Sequence, residues 1–408
     1  MNLPNEAAAT AGHAPLRPRG SNQLGMRQFN ERVVLQALRL HGALPKAELA
    51  RVTGLTAQTI GLITTRLEED GLVLRNDRVR GRIGQPSIPM ALDPDGAYAI
   101  GIKIGRRSTD ALLVDFNGEV RKRLSLSYAF PDAAELLPAI RQQLRTLQRS
   151  LGERGTRLVG VGVAAPFQMG GWHRMLGLSQ EQAEQWNSID LAAQVQAMID
   201  VPVSFARDTA AACIAELLLG RGRDIKSYLY LFVDTFVGGS LVLHSHPHLG
   251  VHGNAGAVAS LPVSLAQPAQ VPDQLVRHAS LWELEQEFQR HGLDASAAYD
   301  ERSLEEPFAP HTRPWIRSAA EALALCIVSG TAFVDVEAVV IDGSLAPAAL
   351  RLLLEQTAAA LDTYNWEGLW RPALHPGSIG SDARALGGAL LPLHANFAPD
   401  RDVFLKAA

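Results

Sequence analysis

The chain has 408 residues, 47% hydrophobic and 20% charged, with a formal net charge of −4. At about 100–200 residues per domain this leaves room for two to four domains, and it excludes both a disordered chain and one that coats nucleic acid with its whole surface. Two cysteines, Cys213 and Cys326, exclude a disulfide framework and a four-cysteine zinc site, and their scarcity fits a reducing, cytoplasmic setting.

No apolar run free of charge reaches the roughly 18 residues of a membrane span, so no membrane association is expected. Residues 1–25 lack the apolar stretch of a secretion signal and, rich in Ala, Pro and Gly, read as a flexible arm. From Met26 to Pro86, ten Arg and Lys stand against six Asp and Glu. A basic module at the front of an acidic body is a first hint of nucleic acid.

Helical spacing starts in FNERVVLQALRLHG, where Val33, Val34, Ala37, Leu38 and Leu40 form one apolar stripe. Pro45 suits the first position of a short second helix, KAELARV. Thr53-Gly54-Leu55 is a turn, and Thr56 can cap a third helix with Ile60, Ile63 and Leu67 inward. Gly71 ends it, and residues 72–92 alternate like two short strands around a turn at Asn76-Asp77. Three helices and a basic hairpin make a winged helix-turn-helix over residues 26–92.

Side chains near the start of the third helix would face base edges in the major groove. Thr56, Gln58, Thr59, Thr64 and Arg66 are the candidates on that helix, because Gln can bind adenine bidentately and Thr can donate or pack on a thymine methyl. Arg75, Arg78, Arg80 and Arg82 lie where a wing touches phosphate or the minor groove. The plainer reading is a three-helix interaction domain with a solvated basic face.

The sequence changes character after Leu92-Asp93-Pro94-Asp95-Gly96. AYAIGIKIG, TDALLVDF and EVRKRLSLSY read as strands, with a hairpin at Asn117-Gly118. An amphipathic helix, the buried strand RLVGVGVAAP, a helix, the strand PVSFARD and the helix TAAACIAELLLG follow. A second strand pair surrounds Gly238-Gly239. Then come a long helix from Thr312, the strand EAVVIDGSL and further helices. Two similar α/β halves, each a mixed sheet covered by helices, with a cleft between them, are expected over residues 93–408.

The wing tail Arg80-Gly81-Arg82-Ile83-Gly84-Gln85-Pro86, the winged helix before it and the two-lobed body after it resemble the transcriptional regulators of the ROK family. That family comprises repressors, unassigned reading frames and sugar kinases. The resemblance implies an α/β fold in which a winged helix-turn-helix precedes a two-lobed actin-like, hexokinase-like ATPase fold. It implies a repressor that binds operator DNA, works as a homodimer or homotetramer and responds to a sugar or sugar-derived effector.

The kinase motifs of the family are degenerate here. Where the kinases carry D-x-G-G-T for phosphate and metal, this chain has Lys103-Ile104-Gly105-Arg106-Arg107-Ser108. A metal site needs a carboxylate there, so phosphoryl transfer is not expected. Asp208 matches the family's catalytic Asp, but the sugar-binding Asn before it is Arg207; without the resemblance, Asp208 reads as a helix N-cap.

In place of G-E-x-G-H stands Gly256-Ala257-Val258-Ala259-Ser260, and the cysteine-rich zinc loop is absent. No structural zinc, other metal or cofactor is expected. GVGVAAP resembles the loop beside the sugar, with Phe167 where the family has Gly.

Trp172 and Trp186 read as stacking candidates or core residues. Gly238-Gly239 and Asp342-Gly343 match the places where the family cradles phosphate and adenosine. His244, His246, His248 and His252 read as a metal-binding run, a pocket lining or a surface loop. Asp208, Arg207, Phe167 and Asn254 are the candidate effector contacts, and the arginines at 207 and 106 or 107 suggest an anionic ligand. Two other readings stay open: an active sugar kinase with an appended DNA-binding domain, and an interaction module without an effector.

Overall fold

The computed structural model describes residues 23–76, 88–186, 188–268 and 271–399. Its first unit comprises α1 (Gln23–His41), β1 (Leu44–Pro45), α2 (Lys46–Thr53), α3 (Ala57–Glu69), β2 (Val73–Arg75) and β3 (Pro89–Leu92). Helix α1 begins three residues inside the segment expected to be an arm. Its buried stripe is Val34, Leu35, Ala37 and Leu38, whereas Val33 and Leu40 are only half-buried. Pro45 precedes α2 instead of opening it, because it pairs with Pro89 of β3. Strands β2 and β3 are antiparallel, and most of the wing sequence between them, with Arg78, Arg80 and Arg82, lies outside the described residues.

The first lobe contains β4 (Tyr98–Ile104), β5 (Ser108–Asp115), β6 (Val120–Ser127), α4 (Ala133–Ser150), β7 (Leu158–Ala165), α5 (Gln180–Glu184), α6 (Leu191–Gln196), β8 (Val203–Arg207) and α7 (Asp208–Leu219). The second contains β9 (Tyr228–Val233), β10 (Gly238–Leu243), β11 (His246–His248), α8 (Val276–Ala279), α9 (Leu281–Arg290), α10 (Ala309–Val334), β12 (Ala338–Gly343), α11 (Pro347–Leu361) and β13 (Ala373–Pro376). Helix α12 (Ala383–Phe397) follows.

The two sheets repeat one topology, β6-β5-β4-β7-β8 and β11-β10-β9-β12-β13. In each, an antiparallel meander is extended by two parallel strands. Strand β13, which the sequence reading did not single out, completes the second. The central β4 is buried at every position, as a strand covered on both faces must be. The edge strand β6 is charged and exposed, which discourages edge-to-edge pairing.

Period-two alternation divides the core. Tyr228, Tyr230 and Phe232 of β9 join a cluster with α7, α12 and the winged-helix unit. Leu229, Leu231 and Val233 face α8 to α11. A third cluster lies between the first sheet and α4. Helix α10 is long and apolar enough by length and composition to cross a bilayer, yet its inward face belongs to the second cluster.

Helix α12 lies directly against the first sheet and α7. A Cβ on Gly387 would sit 1.7 Å from the Ala211 carbonyl oxygen, and one on Gly162 would sit 1.8 Å from that of Gly388. Glycine is required here for close approach. Asp342, at the end of β12, accepts hydrogen bonds from the Tyr230 hydroxyl (2.9 Å), Gly343 N (2.8 Å) and Gly380 N (3.2 Å). It therefore fastens β9 and β12 to the turn that leads into α12.

Two expectations follow from this packing. Gly387→Ala should destabilise the protein by about 3 kcal/mol or more in a urea melt. Gly61→Ala, on α3 with nothing within 4 Å of the added Cβ, should stabilise it by about 0.5–1 kcal/mol.

Burial pushes the Asp342 carboxyl up to about 6, with Glu216 adding to the rise. The folded state then holds a proton that the unfolded chain, with a carboxyl near 3.9, has already released. Stability should fall by about 3 kcal/mol as pH rises from about 4 to about 6. Asp342→Asn should flatten that part of the pH–stability curve.

Candidate functional site

On α3, the Thr56 hydroxyl accepts a hydrogen bond from Thr59 N at 3.2 Å and caps the helix. The hydroxyls of Thr56 and Thr59 lie 2.9 Å apart. Gln58 is exposed in the first turn. Thr64 is not available to DNA: it is fully buried and donates its hydroxyl to the Ile60 carbonyl at 2.8 Å. Thr64 lies four residues after Ile60 and so falls on the buried stripe.

The outward stripe is Gln58, Leu62, Thr65 and Glu69, spaced four, three and four. Leu62 is 57% exposed. Helical periodicity alone could have identified Leu62 and Thr65. Arg66 lies 3.6 Å from Glu31 of α1, and Arg75 pairs with Glu68 at 2.8 Å. Both stay exposed, but each is partly neutralised by its carboxylate.

Three arginines hold this unit on the first lobe. The half-buried Arg39 donates to the Phe116 carbonyl at 2.9 Å and stacks over the Phe116 ring. Arg223 donates to the Leu40 carbonyl at 2.6 Å. Arg157 donates to the carbonyls of Asp70 and Gly96, at 2.6 and 3.2 Å.

Between the lobes lies a cavity of about 420 Å³ whose walls include Asp208, Arg207, Phe167 and Asn254. Residues far apart in sequence are thus brought together. Arg207 closes β8 and Asp208 opens α7. Arg207 donates to Asn254 Oδ1 (2.7 Å) and to the Ala255 carbonyl (2.8 Å), so part of its hydrogen-bonding capacity serves the loop. Asp208 Oδ1 accepts from Thr209 N at 2.8 Å, and the carboxylate still faces the cavity. Ala257 and Ser260 line the wall where the resemblance places a sugar-binding Glu and His.

Arg106 enters the same cavity and Arg107 does not. Arg106 donates to the carbonyls of Met169 (3.1 Å) and Gln168 (2.7 Å) and lies over the rings of Phe236 and Trp172. Burial pulls its pKa down to about 10, with Asp208 opposing the fall. Burial lowers Arg207 as well. Trp172 is held at φ 56° with its indole N–H on Gln274. Trp186 is a core residue, donating to the Pro131 carbonyl at 2.9 Å. Phe236, which the sequence reading did not single out, packs edge-on against Trp172.

A larger cavity of about 970 Å³ lies on the other side of the β4–β5 turn. Lys103 is buried there, donating to Ser108 Oγ (2.5 Å) and Asp110 Oδ2 (3.2 Å). Arg384 of α12 pairs with Asp234, which follows β9. Arg107 pairs with the buried Glu285 of α9 at 3.0 Å, and Glu285 also accepts from the Tyr299 hydroxyl.

Burial and the Arg384 cation pull the Lys103 ammonium down. Burial alone would raise the Asp234 carboxyl, but Arg384 and Lys103 hold it below its usual value. A phosphate-bound magnesium ion needs carboxylate or water oxygens. Two buried cations at this position do not fit it. Gly238 and Gly239 line the smaller cavity, and Asp342 is spent on the backbone.

A family model described as the ROK family matches residues 99–395. The DNA-binding transcriptional dual regulator NagC of Escherichia coli K12 is 23% identical over 262 residues, which cover 61% of this chain and 62% of NagC. The crystal structure of a ROK family transcriptional regulator, a homologue of the Escherichia coli MLC protein, covers 92% of this chain and 98% of its own, with a TM-score of 0.65 at 18% identity. The ROK hexokinase of Thermus thermophilus covers 72% of this chain and 97% of its own, with a TM-score of 0.54 at 22% identity.

The cap and the outward stripe make separable demands. Thr56→Ala should cost about 1 kcal/mol of stability in a thermal melt. Gln58→Ala, at an exposed position without such a role, should stay within about 0.5 kcal/mol of the parent.

Proposed function

This chain belongs to the ROK family, and we propose that it is a cytoplasmic DNA-binding transcriptional regulator. It acts as a repressor, responds to a sugar-derived small molecule and has no kinase activity. Residues 26–92 read operator DNA; residues 93–408 bind the effector and form the homodimer or homotetramer.

The observation that carries this reading is the continuity between the α3 unit and the lobes. Val34, Leu38, Ile60 and Leu67 belong to the same buried cluster as Phe116, Ala385 and Tyr230, and Arg39, Arg157 and Arg223 clamp the seam. A ligand that changes the lobe geometry would carry α3 with it. In a symmetric oligomer that alters the spacing of two recognition helices. The ligand shifts the equilibrium only by its differential affinity for the two geometries.

DNA contact is assigned to Thr56, Gln58, Thr59, Arg66 and Arg75, with Leu62 and Thr65 added from the outward stripe. Arg78, Arg80 and Arg82 are assigned to the wing from sequence alone. In the smaller cavity, Arg106 and Arg207 oppose one carboxylate, Asp208, while Trp172 and Phe167 offer apolar faces. This favours a sugar acid or sugar phosphate over a neutral hexose, and the volume suits a ligand of that size.

One observation favours a residual kinase: Asp208 faces the cavity where a base would stand. ATP turnover with any sugar, lost in Asp208→Asn, would establish that activity and overturn the pseudokinase reading.

The test is fluorescence anisotropy on DNA from the region upstream of the protein's own gene, against scrambled DNA, across a salt series. The upstream DNA should bind about a thousandfold or more tightly, with affinity falling steeply as salt rises. Gln58→Ala should weaken it about tenfold or more. An acidic sugar should change operator affinity in the parent and not in Arg207→Ala. Failure of both DNAs to bind at low salt would sink the regulator reading. A neutral hexose that outperforms every acidic sugar would sink the effector assignment alone.

A further inference from the structure

Helix α9 ends against the first turn of α10, where Glu287, His291 and His311 line neither cavity. Glu287 and His291 are four residues apart and share one face of α9 and its C-cap; His311 is the third residue of α10. Each offers one ligand atom, and the three atoms lie within 4.8 Å of one another. Among the described residues this is the one group of three such side chains so arranged, and the run His244, His246, His248, His252 does not form one.

The spacing is that of a coordination shell. Glu287 Oε1 lies 3.3 Å from His311 Nδ1 and 3.4 Å from His291 Nδ1. The His311 contact is a hydrogen bond, longer than the about 2.7–2.9 Å of a charge-assisted one. Ligand atoms about 2.0–2.1 Å from a tetrahedral zinc ion stand about 3.4 Å apart. The two imidazole centroids are 4.1 Å apart, so the rings already converge.

Arg290 Nη1 holds the other carboxylate oxygen, Oε2, at 2.7 Å. It thereby turns Oε1 toward the rings, as an outer partner orients a metal-binding carboxylate. His291 Nδ1 also lies 3.0 Å from the Glu287 carbonyl oxygen. An ion on Nδ1 would take the place of the proton shared there. His291 is about half exposed, so a fourth position opens to water.

We propose that Glu287, His291 and His311 form a binding site for a divalent transition-metal ion of the zinc class, with water as the fourth ligand. Two imidazoles and one carboxylate with an open position suit zinc, and cobalt(II) can take the same place. The ion would staple α9 to α10. The same α9 presents Glu285 to Arg107 of the other lobe, so a bound ion also fixes the second lobe's half of that ion pair.

The test is titration of the metal-free full chain with Co(II) and Zn(II). One equivalent of Co(II) should give the visible absorption of a four- or five-coordinate nitrogen–oxygen site, and Zn(II) should displace it. Zn(II) in excess over its dissociation constant should raise the melting temperature by several degrees. Glu287→Gln, which preserves size, and His311→Ala should each weaken binding at least tenfold, while His246→Ala leaves it unchanged.

No Co(II) spectrum and no Zn(II)-dependent melting shift would overturn the proposal. So would binding that survives both Glu287→Gln and His311→Ala, or that is lost in His246→Ala. None of these outcomes bears on operator binding, which is read separately.

Discussion

The two lobes meet across a knot of buried charge, and much of the architecture depends on how that knot is satisfied. Asp234 comes from the second lobe, Lys103 and Asp110 from the first, and Arg384 from the helix packed between them. Removing four such charges from water is costly unless each finds a partner. Here each cation has a carboxylate, and Arg384 also lies over the Phe232 ring. Satisfied in this way, the four groups line the larger cavity of about 970 Å³.

The knot can form because α12 is so close. Small residues let the helix touch the first sheet and α7 at van der Waals distance, which brings Arg384, one residue into the helix, to the end of β9. The hydrogen bonds of Asp342 to Tyr230 and Gly380 anchor the preceding turn. Close packing, a buried carboxyl and a buried ion pair therefore act on one helix. The winged-helix unit rests on the far part of the same layer, with Phe397 of α12 edge-on to Phe116, the residue that Arg39 grips.

The fold was largely legible in the sequence because its signals are periodic. Alternating strands, the Asn117-Gly118 hairpin and the Thr56 cap all depend on neighbours in the chain. Strand β13 escaped notice because ALHP is short, contains proline and gains strand geometry only by pairing with β12. Asp208, Arg207 and Phe167 were found through motif resemblance, and the structure gathers them with Asn254 around one cavity. Thr64 was misassigned as a DNA contact because only its chemistry was considered; its spacing from Ile60 places it inside. The pairing of Glu287 and His291 has a visible four-residue spacing. The approach of His311 depends on tertiary packing that no local pattern encodes.

Arg106 and Arg107 are adjacent in sequence, yet they serve the two cavities. Arg106 holds the carbonyls of Gln168 and Met169 beside the effector candidates, and Arg107 reaches across to Glu285. The chain segment that carries both is the short turn between β4 and β5, and its Gly105 carbonyl accepts from the Tyr128 hydroxyl at 2.7 Å. A ligand that pairs with Arg106 competes with those carbonyls, on the same short segment that carries Arg107 and its pair with Glu285. In the regulator proposed above, the link between effector binding and lobe geometry needs no long pathway. Two neighbouring guanidinium groups share one backbone, and each prefers a particular relation between the lobes. The coupling available from such an arrangement is limited by the difference in binding energy between the two lobe geometries, typically about 1–3 kcal/mol. That is enough to change operator occupancy several-fold to about a hundredfold, provided the winged-helix unit remains clamped to the lobe that moves.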